Sequence, residues 1–222
     1  MKSYILKHLF GTSIFLLILF LSAGRIDYWQ GLIYLIISII MFLLNYTVLR
    51  VDPELMEDRS KPGEGTKKWD KRILGLSFIA AISMYATAGL DSGRFHWSPE
   101  FHWSIYSTGI ILTVGGQLLF LFAQKQNKFF FNTMQIQKER VHTVCDTGLY
   151  KVVRHPAYLG SVIQSIGFPL LIGSLWSIVP VSLIIILSVI RTYLEDITLK
   201  KELAGYREYS DRSRYKMIPF VW

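Results

Sequence analysis

The sequence predicts an all-α fold: a polytopic membrane bundle of about six transmembrane helices, with a C-terminal helical hairpin and an amphipathic cytoplasmic tail. Three observations carry this. Hydrophobic residues make up 51% of the 222-residue chain and charged residues 18%, an apolar excess that argues against a soluble globular domain or a disordered chain. The apolar residues gather into runs near the ~20 residues that a helix needs to cross hydrocarbon. Of the 24 Lys and Arg residues, 22 fall at the termini and in alternate gaps between those runs.

Taken in order, the runs are residues 9–24, 29–49, 73–90 and 104–123, followed by a long stretch over 157–190. The last is too long for one crossing. Pro169, Gly173 and Pro180 interrupt it, and a proline removes a helical hydrogen bond and clashes with the preceding turn. It reads as two short helices turning near residues 171–177, which makes six crossings. Residues 9–24, with Lys2 and Lys7 ahead and Ser22-Ala23-Gly24 behind, also have the pattern of a signal peptide. The second run starts five residues after Gly24, and a retained first helix is the expectation.

Placing alternate gaps on opposite sides puts 22 of the 24 basic residues on one side and leaves Arg25 and Arg94 on the other. By the positive-inside rule both termini are then cytoplasmic. The net charge of +8 reflects these basic loops, and no nucleic-acid partner is expected. The single cysteine, Cys145, excludes an internal disulfide framework and a Cys-pair zinc site. With no HExxH or CxxC motif either, no metal is expected. The apolar runs contain little polar beyond Asn45, Gln117 and Gln164. Transporters place polar residues at mid-membrane, so this scarcity counts against a transporter. The chain divides into an N-terminal membrane region, 1–123, and a functional region, 124–222.

The chemistry is expected in the cytoplasmic segments. Residues 52–72 read as a solvated loop with a turn at Lys61-Pro62-Gly63-Glu64-Gly65, ending in a basic stretch, 67–72, that anchors at the headgroups. Residues 124–154 carry six Lys/Arg against two acids, with Phe129-Phe130-Phe131 and His142, and run into Arg154-His155-Pro156. Proline is favoured at the first helical position. A helix opening there has an Arg and a His beside its exposed N–H groups, which makes an anion site; the alternative is a capped helix whose Arg reaches the lipid phosphates. At the far end of the hairpin, Arg191 and Glu195 lie four residues apart, share a face and can pair. A hairpin returns to the side it left, so these residues share a level with Arg154 and His155. The following tail reads as an amphipathic helix broken at Gly205.

Thr147-Gly148-Leu149-Tyr150-Lys151-Val152-Val153-Arg154-His155-Pro156-Ala157-Tyr158-Leu159-Gly160 resembles the signature of the isoprenylcysteine carboxyl methyltransferase family, integral membrane enzymes that use S-adenosylmethionine. The likeness covers roughly residues 135–219, and the first half has the style of prokaryotic members. It implies cofactor contacts at Gln135 (with Gln137 as fallback), His142, Thr143, Val144, Cys145, Tyr150, His155, Pro156, Ala157, Tyr158 and Glu195. It implies that Arg191 meets the acceptor's carboxylate, with Arg191 and Glu195 as the catalytic pair. Cys145 replaces an aliphatic residue, Ala157 replaces Ser, and Asp196 follows Glu195 where the family often has a second Glu.

The implied activity is methyl transfer to a lipid-like or prenylated acceptor, giving a methyl ester. The implied partners are the bilayer and an amphipathic lipid-like substrate, in a prokaryotic plasma membrane with the site facing the cytoplasm. N-methylation of an amine, with Glu195 or His155 as base, is an alternative. So is an NADPH-dependent sterol-type reductase, which carries a similar RHPNY; Ala157 at its Asn position counts against it. No GxGxxG follows a strand, so the cofactor fold is not of the Rossmann type. His155 and Glu195 are expected at the membrane surface, under a lid formed by residues 203–222.

Overall fold

The structure, a computed structural model, describes residues 2–48, 66–131, 133–135 and 142–222. The turn signal at 61–65 and the fallback Gln137 lie outside the described residues. Among the described residues seven α-helices follow one another: α1 (Lys2–Ala23), α2 (Trp29–Val48), α3 (Lys68–Ala88), α4 (Trp103–Gln126), α5 (Pro156–Ile172), α6 (Ile178–Glu202) and α7 (Tyr206–Arg212). Five of these, α1 to α4 and α6, are long and apolar enough to cross a membrane. The all-helical membrane bundle is therefore borne out, as it must be for a chain with no water to satisfy its backbone in lipid. The sixth expected crossing, α5, is apolar but has only 17 residues, the short end of the spanning range.

The hairpin turns where expected. Gly173 ends α5 with φ +75°, a left-handed conformation that costs glycine nothing. The two prolines do not interrupt their helices. Pro169 lies within the last turn of α5, where a single backbone bond is lost, and Pro180 falls in the first turn of α6, which tolerates proline.

What positions the functional end is the α4–α5 seam. A Cβ on Gly160 would stand 2.6 Å from the Gly116 carbonyl and 2.7 Å from the Phe120 nitrogen, and Gly109 and Gly167 meet the opposing backbone in the same way. Small residues at such a seam let two membrane helices touch along their backbones. The start of α5 is thereby fixed beside the end of α4.

At the other end, buried Asp91 accepts hydrogen bonds from the Ser98 N–H (2.7 Å) and hydroxyl (2.6 Å), the Ser174 hydroxyl (2.6 Å) and the Trp176 N–H (3.3 Å). It ties the α5–α6 turn to the segment after α3. The two basic residues at this end are engaged locally: Arg94 donates to the Leu21 carbonyl at 2.8 Å, and Arg25 pairs with Asp27 at 2.8 Å.

α3 starts at Lys68, five residues before the apolar run that predicts it. This changes the reading of residues 67–72 as a headgroup anchor. Lys68 is exposed, but Asp70 in the same first turn is fully buried.

Candidate active site

The signature segment is docked onto the end of α4. The Leu149 N–H donates to the Gln126 side-chain oxygen (2.9 Å), the Tyr150 hydroxyl donates to the Ala123 carbonyl (3.2 Å), and the Cys145 thiol donates to the Gln126 carbonyl (3.6 Å). The chain then meets its own tail. Arg154 N–H donates to the Tyr215 carbonyl (2.9 Å) and His155 N–H to that of Lys216 (2.8 Å). His155 precedes Pro156, which opens α5 as the spacing predicts.

Arg154 is not the exposed cation of an anion site. It is buried and forks onto Asp196 at 2.7 and 3.1 Å, while its remaining arm donates to the Ser213 and Arg214 carbonyls at 2.6 and 2.8 Å. Its charge is neutralised and its donors hold the tail. Asp196, noted in the sequence only as a departure from a Glu pair, is the hub. It also accepts from the Tyr206 hydroxyl (3.1 Å) and lies 3.6 Å from His155 Nε2 and 3.4 Å from Lys200 Nζ. His155 is likewise not at an open surface: it is 5% exposed, covered by the tail.

Arg191 and Glu195 do share a face, but their close partners lie elsewhere. The Arg191 guanidinium forks onto Asp70 at 2.7 and 3.3 Å, and Asp70 also accepts the Met134 N–H at 2.7 Å. Glu195 accepts from the Tyr158 hydroxyl at 2.7 Å and faces His155 Nδ1 at 3.8 Å. The Tyr158 ring lies under the Arg191 guanidinium, 5.4 Å from its centre. Asp70 is the residue that sequence reasoning missed. Its neighbours are basic and its partner is 121 residues away, so no local pattern marks it.

These groups surround a cavity of about 350 Å³, inside the ~300–1,000 Å³ range of small-molecule sites. Gln135, His142, Thr143, Val144, Cys145, Tyr150, His155, Ala157, Tyr158, Arg191 and Glu195 all line it. Pro156, alone of the expected residues, does not; it is fully buried at the helix start. Phe129, Phe130 and Phe131 add an aromatic wall, and Leu203, Tyr206 and Tyr209 close the tail side.

His142 stacks on Phe129 with ring centres 4.5 Å apart, and its Nδ1 is buried with no hydrogen-bond partner among the described residues. Burial lowers its pKa, so the ring is neutral at pH 7. Burial also raises the Cys145 thiol and the Tyr150, Tyr206 and Tyr209 hydroxyls, leaving them protonated. The cavity thus combines one orphaned acceptor or donor, aromatic faces, a positioned carboxylate and a positioned guanidinium.

An α-helical membrane bundle with a half-buried cavity at one end, lined by aromatic and ionisable side chains, defines the class of protein. Within that class, residues 109–201 match the model of the Isoprenylcysteine carboxyl methyltransferase (ICMT) family. The chain is also similar to Protein-S-isoprenylcysteine O-methyltransferase B of Arabidopsis thaliana, 29% identical over 128 residues, covering 54% of this chain and 62% of that protein. The resemblance read from residues 147–160 is borne out. The family match begins within α4, upstream of where the signature suggests, and ends near the close of α6.

Proposed function

We propose that this cavity is the active site of an integral membrane methyltransferase that uses S-adenosylmethionine and acts on a lipid-like acceptor, with a carboxylate acceptor giving a methyl ester. The observation that carries the reading is convergence. Eleven of the twelve residues implied by the family resemblance, scattered from Gln135 to Glu195, line one cavity. Residues 124–222 form the catalytic region, with Asp70 and Leu74 supplied from α3 and Phe120 from α4.

The residues fit the cofactor's groups. Glu195, held by the Tyr158 hydroxyl, is placed to take an ammonium. The orphaned His142 Nδ1 and Gln135 offer hydrogen bonds, and the Phe129–His142 stack and Tyr150 offer aromatic faces to an adenine or a sulfonium. When bound, S-adenosylmethionine supplies an electrophilic methyl group on sulfur. Arg191 orients the acceptor carboxylate through a guanidinium that Asp70 already holds in place, so little side-chain freedom is lost on binding. A carboxylate at pH 7 is deprotonated, so no general base is needed. Leu203, Tyr206 and Tyr209 keep water from the reacting groups.

Incubating membranes that contain the protein with labelled S-adenosylmethionine and extracting the lipid tests this. Base-labile label in the lipid is the expected result. Base-stable label would move the reading to an amine acceptor. No transfer, with heat protection of the solubilised protein by NADPH and not by S-adenosylhomocysteine, would replace it with a reductase.

The charge split and the grouping of the cavity with the start of α3, the start of α5 and the end of α6 support a second expectation. Both termini and the cavity face the cytoplasm of a prokaryotic plasma membrane. A topology reporter fused after Trp222 should read out as cytoplasmic; an extracytoplasmic signal would reverse the orientation.

A further inference from the structure

The amphipathic tail turns its apolar side inward. Leu203, Tyr206 and Tyr209 line the cavity, and the outward side of α7 is polar: Arg207, Glu208, Asp211 and Arg212 are exposed. The large apolar side chains that the tail does expose lie further on, in a tight hook over residues 217–222. There the Met217 and Ile218 N–H groups donate to the Trp222 carbonyl (2.9 and 3.0 Å), and the Trp222 N–H donates to the Ile218 carbonyl (3.0 Å). Met217 is fully buried and pins the hook. Phe220 sits at φ +65°, a conformation that a bulky residue rarely adopts. The turn leaves Phe220 86% and Val221 76% exposed.

The hook adjoins a surface that faces lipid. α6 is one of the helices long and apolar enough to cross the membrane, and Leu183, Ile186, Ile190 and Tyr193 form an exposed stripe along it at helical spacing. Lys216 Nζ stands over the Tyr193 ring, 5.9 Å from its centre, and over the Trp222 ring at 4.6 Å. It joins the foot of the stripe to the hook. Aromatic rings with a lysine among them are the residues of a membrane–water interface. Exposed Arg214 adds a second positive charge.

We infer that residues 214–222 are a membrane anchor. Phe220, Val221 and Trp222 enter the headgroup layer of the leaflet at the cavity end, and Lys216 and Arg214 meet its anionic phosphates. The partner is the bilayer that α6 crosses. The anchor also acts on the cavity. Ser213 and Arg214 carbonyls accept from the Arg154 guanidinium, and Tyr215 and Lys216 carbonyls accept the Arg154 and His155 N–H groups. The segment that the bilayer holds is therefore the one that covers His155, and lipid contact steadies the tail over the cavity. The inference does not depend on which reaction the cavity performs.

Two measurements on the full chain, in nanodiscs of phosphatidylcholine with phosphatidylglycerol, test it. The first places an environment-sensitive fluorophore at Val221→Cys or, as control, at Asp211→Cys on the polar side of α7, each in a Cys145→Ala background. The label at position 221 should emit in the blue and be quenched by lipids carrying a nitroxide near the headgroup. The label at position 211 should do neither. The second compares trypsin digestion of wild type with the double variant Phe220→Ser, Val221→Ser. Both side chains are exposed, so the variant should melt in detergent at the wild-type temperature. In nanodiscs its tail should be cut after Arg207 and Arg212 about tenfold faster than that of wild type, the worth of one apolar side chain returned to water. A label at 221 as open to water as the one at 211 overturns the anchor. So does a label that is shielded only in native membranes, which would give the surface to a protein partner. Equal cleavage of the two proteins overturns the anchor's hold on the tail.

Discussion

Glu195→Gln is expected to weaken S-adenosylmethionine binding by about ten- to a hundredfold, the worth of a hydrogen bond to a charged group, about 1.5–3 kcal/mol, while the protein stays folded. The carboxylate lines the cavity, its side chain is 21% exposed, and its close contact is the Tyr158 hydroxyl. Glutamine keeps an oxygen that this hydroxyl can donate to. What is lost is the negative charge that the proposed function assigns to the cofactor's ammonium. Calorimetric titration of the solubilised variant checks this, with its melting temperature as the control. Wild-type affinity in a well-folded variant would remove Glu195 from the cofactor site. His155→Ala is a poorer probe, because His155 is buried beside Asp196 and its loss disturbs packing as well.

The second large effect is structural. Arg154→Ala leaves Asp196 buried without its guanidinium, and breaking a buried pair by removing one partner costs about 3–5 kcal/mol. The same guanidinium anchors the Ser213 and Arg214 carbonyls, so the variant should also release the tail. A marked fall in melting temperature and faster proteolysis after Arg207 or Arg212 are the expected readouts. Replacing both members, as Arg154→Met with Asp196→Leu, should recover much of the lost stability, since an apolar pair of similar volume often matches a buried ion pair. Wild-type melting of the single variant would mean that Lys200 and His155 compensate for the missing charge, and that the clamp is not what holds the tail.

The helices, the turn at Gly173 and the opening of α5 at Pro156 were legible in the sequence because each depends on local signals: apolar run length, a glycine, a proline. The cavity's composition was legible through the resemblance. The pairing of its charges was not. Arg154 and Arg191 look alike in sequence, each a basic residue at a helix end near the membrane surface. One is saturated by Asp196 and the tail, and the other is held by Asp70 from a helix that begins more than 120 residues earlier. Spacing within a helix said that Arg191 and Glu195 share a face. It could not say that a third helix would place a carboxylate closer. Asp70 and Asp196 were therefore invisible as partners.

The glycine seam between α4 and α5 also bears on the route open to the proposed lipid-like acceptor. Where one added carbon would strike the opposite backbone, a chain of methylenes cannot thread. The two helices make a single rigid post, and no molecule dissolved in the bilayer slips between them. α2 is held far more loosely, touching α4 and α5 at few points, and its Tyr34, Ser38, Met41 and Asn45 line a second cavity of about 530 Å³. For the lipid-like acceptor proposed above, the α2 side of the bundle is therefore the yielding wall, with the post as its fixed jamb.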